Sequence, residues 1–470
     1  MFGRRVIYSD VDEVTADNVC EVLEDALAIH TLNRGEIEYL YNYYKGDQPI
    51  WKRKKEVRSE IKNIVVENRA NEIVSFKTGY QVGEPIQYVS RSSDEGVNRD
   101  VATFNEYIFS EDKAAKDKEL CDWFFTCGTS YRMTMPYKGE NLFQSPFSIF
   151  TLDPRDTFVV YSSALGNKQL MSCKYVHKKR ANMTIYSVYT DKWYFEIIDG
   201  TKVVAAIPHT MGENPITEYP ANNARLGAFE IVIPILNCIN NVASNRIDAI
   251  EQFVNALMVF KGVDINSEDF EKLKDLGGIK VDPEGDIKYI VQELNQMQTQ
   301  ALIDYMYQTV LSICGMPNRN GGTSTSDTGK AVILRDGWSS AEARAKDTET
   351  VFKLSEKKFL SVAINICNIL RGTHLKPSDI EARFTRRNHE NITEKSQVLI
   401  SMLNCPDIDP KLAFEYCGMF VDPERAYMMS KKYKEEQEKI QMDKLKSFNQ
   451  SLIDGEKQKV NDSEGGAEDV

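Results

Sequence analysis

The sequence predicts an α+β protein, mainly helical toward both ends, with short antiparallel strands between them. Three observations carry that reading. Apolar residues recur at helical spacing over residues 12–80, and from about Tyr131 to Tyr219 the period falls to two, with β-branched and aromatic residues dominant. Residues 229–317 then hold a long helix, a compact acidic insert and a second amphipathic helix leading back.

In the N-terminal part, Thr15 to Leu32 is periodic in Val19, Val22, Leu23, Leu27 and Ile29. A tyrosine-rich stretch from Ile37 to Tyr44 ends at the Lys45-Gly46-Asp47 turn. The basic run Lys52, Arg53, Lys54, Lys55, Arg58 and Lys62 admits two readings, a phosphate-facing patch or a solvated loop and helix face; the interspersed Glu56 and Glu60 favour the second. Helical spacing resumes from Ile64 to Tyr80 through Val65, Ala70, Ile73 and Phe76, until Gly79, Gly83 and Pro85 break it. Trp123, Phe124 and Phe125 read as core aromatics between the helical and β parts.

The strands expected are Thr157 to Tyr161, Ser187 to Tyr189, Trp193 to Ile197 and Val203 to Ile207, with turns at Gly166-Asn167, Thr190-Asp191 and Asp199-Gly200. They suggest one meander of about 90 residues. From Pro234, a residue suited to a first helical turn, Ile235, Ile239, Ala243, Ile250, Val254 and Leu257 recur at helical spacing through to Phe260. That helix would span roughly 40 Å. Its opposite face carries Asn237, Asn240, Asn241, Ser244, Asn245, Asp248, Gln252 and Asn255, where a solvated surface normally shows Lys and Glu. A rod so polar yet uncharged implies neighbours on two sides.

The insert from Gly262 to Glu293 holds nine acidic residues, among them Asp264, Glu268, Asp269, Asp282, Glu284 and Asp286, against four Lys. Ile279 to Val281 and Ile287 to Val291 read as its hairpin. The second helix places Leu294, Met297, Ala301, Leu302, Tyr305, Met306, Val310 and Ile313 on one stripe and stops at Gly315 and Pro317. A loop-like stretch, Asn318 to Lys330, follows. A third long helix is expected from Ser339, in a capping box with Glu342, to Arg371 before Gly372, its first half exposed and its second half core. A strand from Ile380 to Phe384 precedes helices at about 393–404 and 410–440, and the acidic, apolar-poor segment beyond Gly455 reads as disordered.

With 470 residues, 42% hydrophobic and 27% charged, the chain has the composition of a soluble globular protein of two to four domains. The least charged window, Ile231 to Asn245, is too short and too rich in Asn for a membrane span, and MFGRRVIYSDVDEV lacks the apolar core of an export signal. Nine Cys without CxxC pairs suggest buried free thiols. A net charge of −12 argues against a general DNA-coating role, since such proteins neutralise phosphates, but not against a passage that DNA traverses without sticking. Gly329-Lys330 is followed by Ala331 and lacks the glycine spacing of a phosphate-binding loop. His389-Glu390 lacks the second His of a zinc-protease helix. No serine elbow, dinucleotide fingerprint or catalytic carboxylate pair is present, so no cofactor or metal is expected.

Several stretches together resemble the portal protein of tailed bacteriophages, of the type found in siphophages of Gram-positive hosts. They are Leu40 to Gly46, Asn68 to Ile73, Gly79 to Ile86, Leu152-Asp153-Pro154 with Phe158 to Tyr161, and, most strongly, Asn214-Pro215-Ile216 through Tyr219-Pro220 with Gly227 to Asp248, Ile250 to Phe253 and Lys261-Gly262. One departure is Thr328-Gly329-Lys330-Ala331-Val332 where the family often shows Ser-Gly-Val-Ala-Leu. The resemblance implies a non-enzymatic twelve-subunit ring at one capsid vertex of the virion, assembled in the host cytoplasm and free of membrane.

Within each subunit it implies a wing at 1–228 with a β-rich part at 131–220, stem helices at 229–261 and 294–317, a clip at 262–293, and a tunnel-loop region at 318–340. A long wing helix and strand at 341–391, a crown at 392–440 and an extension at 441–470 complete it. Implied partners are double-stranded viral DNA, the terminase large subunit, a head-completion adaptor, scaffold and major capsid protein. In that setting Gly321, Gly322, Thr323, Ser324, Gly329, Lys330 and Arg335 would face the channel. The acids of the insert would form a negative collar that repels phosphate, or simply solubilise an exposed insert. Asn237, Asn241, Asn245, Asp248, Gln252 and Asn255 would meet the next subunit. Two other classes stay open on the residues alone: an enzyme with a dispersed active site in the β-rich domain, and a monomeric helical adaptor.

Overall fold

The computed structural model describes residues 3–56, 59–92, 94–137, 144–254, 257–261, 286–290, 296–318, 337–386, 392–420 and 422–464; expectations that fall elsewhere lie outside the described residues. Its first unit, Met1–Arg387, contains the β-rich part. Six strands, β1 (Ile7–Ser9), β5 (Thr157–Ser162), β6 (Gln169–Lys178), β7 (Met183–Tyr189), β8 (Trp193–Ile198) and β9 (Lys202–Pro208), line up in that order. From β5 to β9 they form the expected antiparallel meander, and β1 adds in parallel at the β5 edge. Asp199 and Gly200, with φ of 49° and 75°, make the left-handed turn that suits a tight hairpin.

The single meander expected is instead two sheets. β3 (Thr129–Pro136), β4 (Phe147–Leu152) and β10 (Ile216–Pro220) pair in the order β10-β3-β4. The reason lies in the alternation of β5: Phe158 and Val160 pack under helix α1 (Val19–Lys45), whereas Val159 packs with Tyr131, Tyr189 and Ile216 on the other side. Each face of the larger sheet therefore has its own cover.

Helix α1 ends at Gly46, whose φ of 100° allows the closing turn, as expected. Helix was also expected from Ile64, but α2 begins only at Arg69 and runs to Val82. From Ile61 to Asn68 the backbone has no regular secondary structure, because the Asn63, Val65 and Glu67 amides are engaged elsewhere. Helices α3 (Glu95–Ser110) and α4 (Lys113–Cys127) follow, and Phe124 and Phe125 of α4 are buried as predicted. Strand β2 (Gln87–Ser90) pairs with β13 (Ile380–Arg383).

Helix α5 spans Ile233–Val254, shorter than the helix expected through Phe260. Leu257–Lys261 is β11, paired antiparallel with β12, Asp286–Ile290. The partner expected for β12, residues 279–281, lies outside the described residues. The β-branched and aromatic run Leu-Met-Val-Phe suits a strand as well as a helix, and cross-strand pairing decides it. Helix α6 (Gln296–Cys314) stops at Gly315, with φ of 65°.

Helix α7 (Trp338–Arg371) is capped by Gly337 and not by the expected Ser339–Glu342 box. Glu342 is drawn away: it accepts hydrogen bonds from the Tyr80 hydroxyl at 2.8 Å and from Arg386 at 2.9 Å. Its first half is also less exposed than expected, with Ala341 and Ala345 buried, while Phe359, Leu360, Val362, Ile364 and Ile366 form the predicted core half.

The second unit, Asn388–Val470, consists of α8 (Ile392–Leu403), α9 (Pro410–Tyr416) and α10 (Pro423–Glu464). The helix expected over 410–440 is thus broken after Tyr416. Gly418 with φ of 60° and Pro423 in the first turn of α10 account for the break. Phe414 stacks on Phe420 across it, at 5.2 Å between ring centroids. Disorder was expected past Gly455, yet α10 continues to Glu464, consistent with the good helix formers Glu, Lys and Gln around that glycine.

Candidate functional site

The polar face of α5 is bound by an extended strap from its own chain. The N–H groups of Glu67, Val65 and Asn63 donate to Asn240 Oδ1 at 3.0 Å, Ser244 Oγ at 3.0 Å and Asp248 Oδ1 at 2.7 Å. Two residues of extended chain rise roughly 6.6 Å and four of helix roughly 6.0 Å, so alternate amides of one meet every fourth side chain of the other. The strap runs antiparallel to the helix and leaves three buried side-chain acceptors satisfied.

Asp248 anchors one end of the strap. Arg53 and Lys55 reach it at 2.9 and 3.1 Å, and the Asn63 side chain adds a further bond at 3.0 Å. Desolvation pushes this carboxyl up, but the Asn63 amide and side chain with Lys55 and Arg53 outweigh it and hold it down at about 2. Part of the basic run therefore turns inward as an intrachain clamp, in neither of the two ways weighed from sequence. The signal was present as Asn240, Ser244 and Asp248 at four-residue spacing, but nothing local indicated what would lie across it.

The start of α5 is equally constrained. Arg4 donates to Glu230 at 2.6 Å, and the Gly3 and Gly227 amides donate to the same carboxylate at 3.0 Å each. Gly227 passes so close to Thr126 that an added Cβ would lie 2.4 Å from its carbonyl oxygen. Tyr43 stacks on Phe229 and donates its hydroxyl to Asn237 Oδ1 at 2.9 Å. These contacts fix the start of α5 against the N-terminal segment and α1.

Helices α5, α6 and α2 line an open cleft of about 600 Å³, apolar at Phe76, Ile247, Ile303 and Leu311 and charged at Glu67, Arg69, Glu72, Arg246 and Asp304. On its rim, Arg69 stacks over Tyr307 at 4.1 Å, and Arg246 donates to Gln300 at 2.5 Å. The buried side of α6 is Ile303, Val310, Leu311 and Cys314. The stripe read from its sequence is largely outside: Ala301, Leu302 and Tyr305 are exposed, and Met297 is 83% exposed.

Among the described residues, no group of His, Cys, Asp and Glu is arranged to hold a metal, and no helix is long and apolar enough to cross a membrane. The described Cys are free, and six are buried, but Cys238 on α5 is exposed, unlike the buried thiols expected.

A family model described as "Phage portal protein, SPP1 Gp6-like" matches residues 23–444. The chain belongs to the phage portal protein family. No curated protein sequence matches it significantly. Among solved structures the portal chain is similar to one in "Neck of empty GTA particle computed with C6 symmetry", at 12% identity and a TM-score of 0.46, over 79% of this chain and 96% of that one.

The predicted site residues of this portal protein are distributed unevenly. Asn237 and Asp248 are occupied within the chain by Tyr43 and the strap, and Asn245 accepts from Arg53 at 2.5 Å. Asn241 and Asn245 lie on the exposed side of α5. Gln252 is on α5 with only its backbone described, and Asp286 opens β12 in the same way. Asn255, Asp264, Glu268, Asp269, Asp282 and Glu284 lie outside the described residues. So do Gly321, Gly322, Thr323, Ser324, Gly329, Lys330 and Arg335.

Proposed function

We propose that the chain forms a twelve-subunit ring at one capsid vertex, through which double-stranded viral DNA is packaged and ejected. The family match over residues 23–444 is the observation that supports this most directly. Each subunit contributes the α5–α6 hairpin as one stave of the channel wall. The strap along one side of α5 fits that role, because it ties the stave to the body of the subunit and leaves Asn241 facing outward as a candidate intersubunit contact.

The insert with Asp264, Glu268, Asp269, Asp282, Glu284 and Asp286 is the clip in this reading. Multiplied around a ring, its excess of acids makes a collar over which phosphate slides without binding. The same end docks the terminase large subunit and later the head-completion adaptor. Gly321, Gly322, Thr323, Ser324, Gly329, Lys330 and Arg335 belong to a loop that follows the duplex, and scaffold and major capsid protein contact the wing.

Negative-stain imaging of the purified full chain tests the proposal. Ring-shaped particles with a central channel are expected. Strictly monomeric particles at high concentration would sink it, and ATP turnover by the chain alone would favour an enzyme instead.

A further inference from the structure

We propose that the extended strap from Asn63 to Glu67 is a releasable latch, and that its release lets the far half of α5 pivot about an apolar root. The inference rests on the ring reading above, in which α5 lines the channel, and adds how that wall gives way as a duplex passes. Its starting point is the division of burial along the helix. Leu236 and Ile239, in the first half, belong to the main hydrophobic core. Beyond them the buried described residues of α5 are Asn240, Ser244 and Asp248, the three that the strap binds, whereas Ile247 and Ile250 are 43% and 42% exposed. One end of the helix is thus held by apolar packing and the rest by polar contacts. Helix α6 is likewise buried most deeply near its C-terminal end, at Val310, Leu311 and Cys314, and is tied to the far half of α5 where Arg246 donates to Gln300.

The contact between strap and helix is of a kind that opens reversibly. Hydrogen bonds and ion pairs cross it, which water can replace, and none of Ile61, Ile64, Val65 and Val66 belongs to the hydrophobic core. Parting the root would instead expose apolar surface, for which water offers no substitute. Both partners also keep their shape when separated. Within the strap, Arg53 donates to the Asn63 carbonyl and Lys55 to the Ile61 carbonyl, each at 2.9 Å. On the helix, the Ser244 hydroxyl donates to the Asn240 carbonyl at 2.7 Å, so it stays bonded inside α5 after the Val65 amide has left.

The arrangement also sets the direction of opening. Glu67 leads into α2 through Asn68, whose side chain donates to the Tyr44 carbonyl and accepts from Gln48, each at 3.1 Å. That end is fixed to the body of the subunit. At the other end Asn63, Arg53 and Lys55 converge on the single carboxylate of Asp248. Loss of this one clasp frees the strap from its far end first and the Glu67 amide from Asn240 last, which leaves the pivot at the junction with Ile239.

The test uses the full chain. In hydrogen exchange the Asn63, Val65 and Glu67 amides are expected to be protected about 100-fold less than those of Ile239 and Asn240, while Arg246 to Ile250 stay protected because the helix moves without unfolding. Equal protection of strap and root, or exchange of Arg246 to Ile250 together with the strap, overturns the latch. A lock then tests its role: Val65→Cys with Ser244→Cys, in a Cys238→Ser background and with the cross-link confirmed by mass spectrometry, is expected to give rings that protect about tenfold less DNA from nuclease when oxidised than when reduced. Oxidised rings that package as well as reduced ones overturn the proposal and leave the ring reading intact. Absence of rings from the unaltered chain overturns the ring reading, and exchange in the single chain then decides whether the strap opens.

Discussion

Arg132 and Glu356, 224 positions apart, meet at 3.3 Å inside a buried ionic group that joins α7 to both the strands and helices around it. Arg132 also pairs with Asp117, and Lys113 bridges Asp117 and Glu356 at 2.8 and 2.9 Å. Tyr219 and Tyr88 donate their hydroxyls to Glu356. Two cations face two carboxylates, so the buried group is neutral and its members are mutually dependent. Burial alone would raise the Glu356 carboxyl, but Lys113 and Arg132 hold it below its ordinary value.

Removing one member should cost far more than a surface ion pair. Glu356→Ala leaves Lys113 and Arg132 with one carboxylate between them in a dry site, and a loss of about 3–5 kcal/mol is expected. Urea unfolding of the variant measures it. A loss under about 1 kcal/mol would mean that water reaches the group.

Asp248 should make the strap acid-labile. Its carboxyl sits at about 2 in the folded chain against an ordinary 3.8, so its contribution is complete above about pH 4 and is lost as pH falls from there toward 2. At neutral pH, Asp248→Ala should weaken the strap by about 2 kcal/mol, which is a roughly 30-fold larger population of the locally open state. Hydrogen exchange at the Asn63, Val65 and Glu67 amides reads this directly, with Asn63 affected most.

His30 supplies a second pH effect in a different window. It lies between Phe158 and Tyr175, with Nε2 3.1 Å from the Arg155 carbonyl oxygen. Burial lowers its imidazole to about 4 from an ordinary 6.5. The folded state therefore holds the neutral ring: stability is full above pH 6.5 and falls by about 3 kcal/mol as pH drops from 6.5 to 4. His30→Phe should remove that slope in a series of unfolding curves, and an unchanged slope would place its origin elsewhere.

Gly128 should tolerate no side chain. Its φ is +80°, and an added Cβ would lie 2.1 Å from the Arg225 carbonyl oxygen. Gly128→Ala is expected to destabilise by more than about 2 kcal/mol, because left-handed strain and a backbone clash act together. Thermal unfolding of the variant checks it.

The proposed channel loop gives a functional prediction. Replacing Gly321 and Gly322 together by Pro should leave ring formation intact and impair packaging, since proline removes the backbone freedom needed to track a duplex. Rings are counted by imaging and packaging by nuclease-protected DNA. Loss of rings would assign these residues to an interface.

Much of the fold was legible because its signals are local. The period-two runs became β5, β7, β8 and β9, the Gly46 and Gly372 stops ended α1 and α7, and the alternation of apolar residues in α7 marked its buried half. Failures occurred where distant partners competed with local preference. Glu342 could cap α7 and instead binds Tyr80 and Arg386, and residues 64–68 could continue a helix and instead give their amides to α5.

What the sequence by itself determined was the α+β class, most element positions and, through the blocks around Gly227 to Asp248, the portal family. Those depend on periodicity, turn chemistry and local residue patterns, which neighbouring residues carry. Only the tertiary structure decided which sides of α5 and α6 are already occupied. The amide face of α5 looked like one free surface, but Asn240, Ser244 and Asp248 are satisfied by a strap drawn from about 180 residues earlier, whereas the apolar stripe of α6 is left open. A side chain's type states that it needs a partner; the fold alone determines whether that partner comes from its own chain or has to come from another.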